Sequence, residues 1–504
     1  MLIRGARVVP VGARPAPDRL VDLRLDAGRV TEMGTSLTRY AAEPVLEADG
    51  RWAIPGLWDQ HTHPVMWALA QQRIDLVGVA DAQETLHRVA DHLRALPAGE
   101  SLVMGYGYRS GTWSTAPSVG ALDAVTGGRP VALASGDGHN GWLNSAALQL
   151  LGLPIPEGAL SEDEWYDIYP RLEALDPDSA DPTRALGRAI VRAHAKGVVG
   201  IVDFEFGSAY RTWPERVARG LDTMRVRAAS YIDGLDGVAD LGLRTGDPLV
   251  PGQDLVTMGP LKVISDGSLN TLTAWCCEPY AGPVPLEDPY GLPNVPPDEL
   301  VEAMTRARGL GLDAAIHAIG DEAIARALDA FEASGQRGSI EHVQLVAFDD
   351  LARMGRLGLT ASVQPAHVLD DREVSEIWWG DRTQRLFAFR AMRDAGVTLA
   401  FGSDAPVSPL DPWLAMAAAV HRAPRAVPAW HPEQALTAAE ALQASTDGQG
   451  TLGVGSRADL ALLDHDPTAP GENPDAVADQ LRAMPVAATI VAGRVVHGDP
   501  SLRD

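Results

Sequence analysis

His61-Thr62-His63 ends an apolar stretch that runs Trp52-Ala53-Ile54-Pro55-Gly56-Leu57-Trp58. In an extended strand, side chains two apart leave on the same face, so these two imidazoles stand side by side, as two ligands closing on one divalent cation would. A single His-x-His is a weak motif, and its weight comes from later segments. Lys262 lies in Gly259-Pro260-Leu261-Lys262-Val263-Ile264-Ser265-Asp266, and His317, His342 and Asp404 each stand at or just past the end of a β-rich run. Four imidazoles, one amine and one carboxylate can ligate two cations if the amine becomes an anion. A neutral lysine takes up carbon dioxide to form a carbamate, whose two oxygens can bridge two cations that in turn hold the product. Each residue also has a structural reading. Buried histidines usually satisfy a hydrogen bond, Lys262 can pair with Asp266 or Glu205, and Asp404 can cap a helix. Those readings leave the recurrence at successive strand ends unexplained.

The elements that must position these groups alternate along the middle of the chain. Strands are expected at Leu57–Thr62, Val198–Phe204, Val226–Ile232, Leu261–Asp266, Leu312–His317, Ser339–Val343, Leu359–Gln364 and Val397–Gly402, with helical patterns such as Glu322–Ser334, capped by Asp321, between them. Strands interleaved with helices imply a parallel sheet, and eight of them a closed (β/α)8, TIM-like barrel, which carries its chemistry at the C-terminal strand ends. On this register Lys262 lies early in its strand. The stretch between the first two strands is too long for a barrel connection, so residues 70–181 read as an inserted α/β subdomain. It holds a helix at Ala82–Leu96 opened by Asp81 and Glu84, a strand at Pro130–Ala134, a helix at Asn144–Leu151 and an irregular exit over Pro154–Pro182. The two chain ends share another pattern. Leu2–Val9, Leu20–Asp26 and Arg29–Met33 are β-rich, and so are Ala458–Leu463, Ala488–Val491 and Arg494–His497, which places both ends in one small sheet domain. The division expected is 1–55, 56–450 and 451–504.

Bulk properties exclude several classes. The 504 residues are 46% hydrophobic and 22% charged, ordinary for a globular protein, with a formal net charge of -25. That charge argues against nucleic acid and anionic membrane as partners. No stretch is apolar for long enough to span a bilayer, and Met1-Leu2-Ile3-Arg4-Gly5 does not open a signal peptide. Cys276 and Cys277 are adjacent, a poor geometry for a disulfide that fits a reducing compartment. The expectation is a cytoplasmic protein.

Taken in order, His61-x-His63, Lys262, His317, His342 and Asp404 resemble the binuclear amidohydrolase superfamily. Finer motifs are similar to its amidohydrolase-3 branch, which includes N-substituted formamide deformylases. They are Ser135-Gly136-Asp137-Gly138-His139-Asn140, Lys262-Val263-Ile264-Ser265-Asp266-Gly267-Ser268-Leu269, His317-Ala318-Ile319-Gly320-Asp321, Ile340-Glu341-His342-Val343-Gln344, Ser362-Val363-Gln364-Pro365-Ala366-His367 and Phe401-Gly402-Ser403-Asp404-Ala405-Pro406-Val407. The resemblance implies a barrel with an inserted subdomain, a flanking β-sandwich built from both termini, and a carboxylated lysine. It assigns His61, His63 and Asp404 to one divalent metal, zinc by preference, His317 and His342 to a second, and carboxylated Lys262 to the bridge between them. A metal-bound hydroxide would then attack an amide, N-formyl, N-acyl or cyclic amide carbon of a small molecule. Asp404 would carry the proton to the leaving nitrogen, in hydrolysis of a non-peptide C–N bond. His139 is expected to touch substrate from its Gly-rich loop, Trp142 to form an apolar wall, and Asp266 and His367 to line the pocket. Homodimers are common in the family, although the sequence itself shows none.

Two rival readings remain. A mononuclear deaminase uses a similar ligand set but needs a glutamate close after the fifth-strand histidine. His317-Ala318-Ile319-Gly320-Asp321-Glu322 offers acids at another spacing, and Lys262 has no role in that chemistry. A non-catalytic regulator built on a retired barrel would normally have lost ligands, and here all six are present.

Overall fold

The computed structural model describes the chain except for residues 72, 77, 97, 98, 100, 109, 111, 112, 136–139, 157, 176–180, 270, 271, 282–287 and 499–504, and leaves undescribed the side chains of 161–163, 166 and 173. Contacts divide it into two compact units, Met1–Pro64 with Ile190–Asp504, and Val65–Ala189. Among the described residues no helix is long and apolar enough to cross a membrane.

The larger unit contains the barrel. Its strands are β1 (Leu57–Thr62), β2 (Val198–Asp203), β3 (Arg225–Ser230), β4 (Val256–Ile264), β5 (Ala314–Ala318), β6 (Gly338–His342), β7 (Thr360–Val363) and β8 (Thr398–Phe401), each parallel to the next. Strands covered on both faces lose the polar alternation of a half-exposed sheet, and every residue of β2 is buried. Packing between β1 and β2 is tight enough to demand glycine. A Cβ on Gly200 would come within 2.3 Å of the Trp58 ring, and one on Gly56 within 2.4 Å of Val199. The ring closes through a parallel bridge between Thr62 and Ala405, beside hydrogen bonds from His63 N to Ala405 O (2.9 Å) and from Asp404 N to His61 O (2.8 Å).

Two expectations shift. β4 starts at Val256, so Lys262 is the seventh of nine residues and lies near the functional end of its strand rather than early in it. The run Val256-Thr257-Met258 carries the strand back past Gly259-Pro260, which read as a breaker in the sequence. Asp321 is the first residue of the helix Asp321–Ser334, whose N-cap is Gly320. Its carboxylate instead accepts from Cys277 N (2.8 Å) and Arg385 (3.0 Å).

Both chain ends build one sheet. Leu2–Val8 pairs antiparallel with Val21–Asp26 and parallel with Val45–Glu47 and Trp52–Pro55, and Trp52–Pro55 pairs with Leu460–Leu463 from the far end of the chain. Ile3, Leu23, Leu25, Leu46, Leu460, Leu462 and Ile490 form its shared core. The sheet is tied to the barrel by a buried ion pair, Arg225 Nε to Asp459 Oδ2 at 2.6 Å. Asp459 also accepts from Ala492 N at 2.7 Å.

The smaller unit has its own sheet, with strands Ile74–Asp75, Val103–Tyr108, Val131–Ser135, Asn140–Leu143 and Leu160–Ser161 in neighbouring order. Asp81 caps the helix Ala82–Ala95 by accepting from Glu84 N (2.8 Å), and Glu84 reaches back to Ala80 N (2.8 Å). Asn144 caps Ser145–Leu151. The segment 154–182, expected to be irregular, contains the helix Glu162–Leu175. Its proline and acidic residues masked an apolar face of Trp165, Ile168 and Leu172, all buried in the unit's core.

Among the described residues, removing Asp459 leaves the buried Arg225 guanidinium with only the exposed Asp254 carboxylate as a counter-charge, 3.4 Å away. Asp459→Ala is expected to lower the unfolding free energy by about 3–5 kcal/mol, read from the urea midpoint, whereas the paired change Arg225→Met with Asp459→Leu should recover most of it. Equal losses for the single and paired changes would show that the charge pair is not the tie.

Candidate metal centre

The strand ends of the barrel bring the predicted residues together. One ligand atom each from His61, His342 and Asp404 lies within 4.8 Å of the others. Asp404 Oδ1 stands 3.5 Å from His61 Nε2 and 3.4 Å from His63 Nε2. The His317 ring meets that of His342 edge to face at 4.4 Å between centroids, and His342 lies 4.8 Å from His61 by the same measure. The trio of His61, His342 and Asp404 therefore mixes the two ligand sets expected from the resemblance.

Three of the four rings have one nitrogen engaged away from the cluster, whereas His63 Nδ1 has no hydrogen-bond partner among the described residues. His61 Nδ1 is 2.7 Å from Glu341 Oε2, His342 Nδ1 is 2.8 Å from Gln364 Oε1, and His317 Nε2 is 3.2 Å from Gly267 O. The remaining nitrogens are Nε2 of His61 and His342 and Nδ1 of His317. Burial pushes the pKa of His61 and His342 well below the ordinary value and that of His317 to about 3, with the Lys262 charge adding to it in each case. Neutral imidazole is the form that ligates a cation.

Lys262 enters from β4. It pairs with Ala315, whereas Ile264 is level with His317, so its side chain starts two residues lower than the histidine. The four-carbon stem makes up that offset of about 6–7 Å. Its Nζ lies 4.6 Å above the Phe204 ring and has no hydrogen-bond partner among the described residues. Neither ion pair open to it in the sequence, with Asp266 or with Glu205, forms among the described contacts. Burial lowers its pKa to about 8 against the opposing pull of Glu341 and Asp404, so a neutral amine is within reach.

The expected pocket residues divide. Asp266 is fully buried and accepts from Trp275 N (2.9 Å), Ile319 N (3.1 Å) and Gly320 N (2.9 Å), with Oδ1 3.4 Å from His317 Nε2. It organises the loops after β4 and β5 and has no surface left for substrate, which corrects its assignment to the pocket lining. Trp142 is fully buried in the core of the smaller unit beside Tyr108, and its indole N–H donates to Ser118 O at 2.8 Å. It packs a core and is not the apolar wall expected, because a ring of that size at a strand position fills the space between sheet and helices. His139 and Asp137 fall outside the described residues. His367 stacks on His342 at 6.4 Å and 13°, with its Nε2 unpartnered among the described residues.

Sequence reasoning missed Glu341, Gln364, Asp59 and Phe206. Strand alternation would send Glu341 and His342 to opposite faces, but His342 (φ 72°) and Val343 (φ 45°) adopt left-handed backbone, which turns the imidazole inward beside its neighbour. Asp59 accepts from His61 N (3.1 Å) and Ser403 N (2.9 Å), and burial lifts its carboxyl to about 7. Phe206, on the loop after β2, is 61% exposed and stacks on His63 (5.5 Å, 28°) and Tyr231 (5.7 Å, 27°).

The chain is similar to known proteins along most of its length. The chain is 28% identical to the N-substituted formamide deformylase of Arthrobacter pascens, covering 98% of this chain and 97% of that one. It is 29% identical to Protein LONG AFTER FAR-RED 3 of Arabidopsis thaliana over 87% of this chain and 80% of the other. A crystal structure of an uncharacterized metal-dependent hydrolase from Pyrococcus furiosus superposes with a TM-score of 0.73 at 25% identity, covering 93% of this chain and 99% of that one. Residues 45–497, which hold every strand of the barrel and all the clustered histidines, match the family's own pattern, and the chain belongs to the amidohydrolase family.

Proposed function

We propose that this protein is a metal-dependent hydrolase that cleaves a non-peptide C–N bond, in an amide, N-formyl, N-acyl or cyclic amide, of a small molecule. The convergence of His61, His342 and Asp404 within 4.8 Å, with neutral rings and a buried lysine beside them, carries the reading. The deformylase relative, matched along almost its whole length, supports the bond type.

The donor set fits divalent cations. His61, His63 and Asp404 would hold one, His317 and His342 a second, and Lys262, carboxylated, would lie between them; zinc suits such nitrogen and oxygen donors. When bound, the cations supply Lewis-acid polarisation of the carbonyl and a more acidic water. The protein's own groups do the rest. Asp404, partly open to solvent, takes the proton of the attacking water on its carboxylate and delivers it to the leaving nitrogen. Glu341 and Gln364 hold the rings of His61 and His342, so no reorganisation is needed as charge develops. His367 offers its unpartnered Nε2 to a polar group of the substrate. Phe206, largely exposed, offers aromatic surface beside His63 to a flat apolar substituent.

A second reading, a single cation held by the trio alone, is favoured by the way that trio crosses both ligand sets. Metal counting separates the two. Reconstituted protein should carry two equivalents by elemental analysis, and Lys262→Ala should carry at most one and lose turnover in a screen of N-formyl, N-acyl and cyclic amides. Two equivalents with full turnover in that variant would refute the bridging assignment, and one equivalent in the unaltered protein would favour the trio. Phe206→Ala should raise KM about two- to tenfold for substrates with an aryl substituent and leave kcat nearly unchanged; an equal rise for purely aliphatic amides would argue against a stacking face.

A further inference from the structure

The carboxylate of Glu341 is fully enclosed, and a buried carboxylate is costly unless each oxygen finds a partner. Both do. Oε2 meets His61 Nδ1 at 2.7 Å and Oε1 accepts from the Ser339 hydroxyl. Ser339 and Glu341 are two apart on β6, so the hydroxyl holds the carboxylate from its own strand while the carboxylate reaches across the barrel to β1. With Glu341 ionised, the ring proton sits on Nδ1 and the Nε2 lone pair faces Asp404, 3.5 Å away. His342 has the parallel arrangement with a neutral acceptor, Gln364. Burial raises the Glu341 pKa, while the nearby Lys262 charge and the Ser339 hydroxyl pull it down; as a carboxylate Glu341 backs His61 with a charge that Gln364 cannot give His342, which makes His61 the stronger donor to a cation.

We propose that Glu341 is a positioning residue that fixes the tautomer and orientation of His61 and thereby sets the affinity of the barrel-mouth cluster for its first divalent cation. The inference rests on the metal-centre reading above. It assigns to Glu341 no contact with substrate, so its effect belongs in metal affinity before it appears in turnover.

The test uses full-length apo-protein titrated with zinc against a chromophoric chelator, in the unaltered chain, Glu341→Gln and Glu341→Ala, with thermal unfolding as the check on folding. Glu341→Ala should weaken the first zinc about 10–100-fold. Glu341→Gln keeps an oxygen acceptor without the charge and should fall between. Both should shift the visible absorption of the cobalt-substituted protein, because the His61 ring loses its anionic support. If the alanine variant fails to fold, the near-isosteric glutamine variant decides. Folded variants that bind zinc within twofold of the unaltered chain, with an unchanged cobalt spectrum, would overturn the role of Glu341 and leave the metal centre standing. An unaltered chain that binds no zinc or cobalt would instead remove the metal-centre reading itself.

Discussion

The seam between the first and last strands of the barrel is the constraint on which the rest depends. His61 and His63 come from β1 and Asp404 from just beyond β8, so their atoms meet only if strands from opposite ends of the barrel close in one register. Asp59 clamps that register by accepting from backbone N–H groups of both sides, one of them 344 positions away. Gly402 permits the approach, since a Cβ there would lie 2.7 Å from His61 N. Asp404 N then donates to His61 O, tying one candidate ligand to the backbone of another. A slip of one residue at this seam would turn the His-x-His pair away from the interior.

Much of this was legible in the sequence because it rests on period and residue type. Each barrel strand appears where its β-rich run lies, and both termini enter a common sheet, since apolar runs bounded by Gly, Pro and Asp carry that information locally. Less legible were features decided by tertiary context. The true start of β4 was hidden by Gly259-Pro260, and the helix over Glu162–Leu175 by Pro170 and its acidic residues. Trp142 and Asp266 have residue types that serve a pocket or a core equally well, and only burial and backbone partners tell them apart. Glu341 and Gln364 stood inside recognised motifs, yet their contacts run between strands and leave no spacing signature.

Strain gathers at the same place. His342, Val343 and Asp404 all hold positive φ, a region that side chains, and a β-branched one above all, avoid at a cost on the order of 1–3 kcal/mol each. The surrounding contacts, Gln364 on His342 and the seam on Asp404, hold these conformations in place. The resulting geometry aims one ring and one carboxylate inward from positions where regular strand geometry would not. The electrostatics follow the same pattern: burial keeps the rings of His61, His317 and His342 neutral and lifts the carboxyls of Asp59 and Asp266 to about 7.

The common sheet of the two termini also bears on how the chain reaches its native state. Trp52–Pro55 leads straight into β1, yet one of its sheet neighbours is Leu460–Leu463, which leaves the ribosome after the whole barrel has been made. Throughout synthesis that edge of the first barrel strand's lead-in stays without its mate. Contacts so distant along the chain make folding slow and keep an apolar strand edge open to wrong pairings in the interval. The arrangement that locks the finished barrel thus delays its completion, and binds the fate of the earliest translated strands to the arrival of the last.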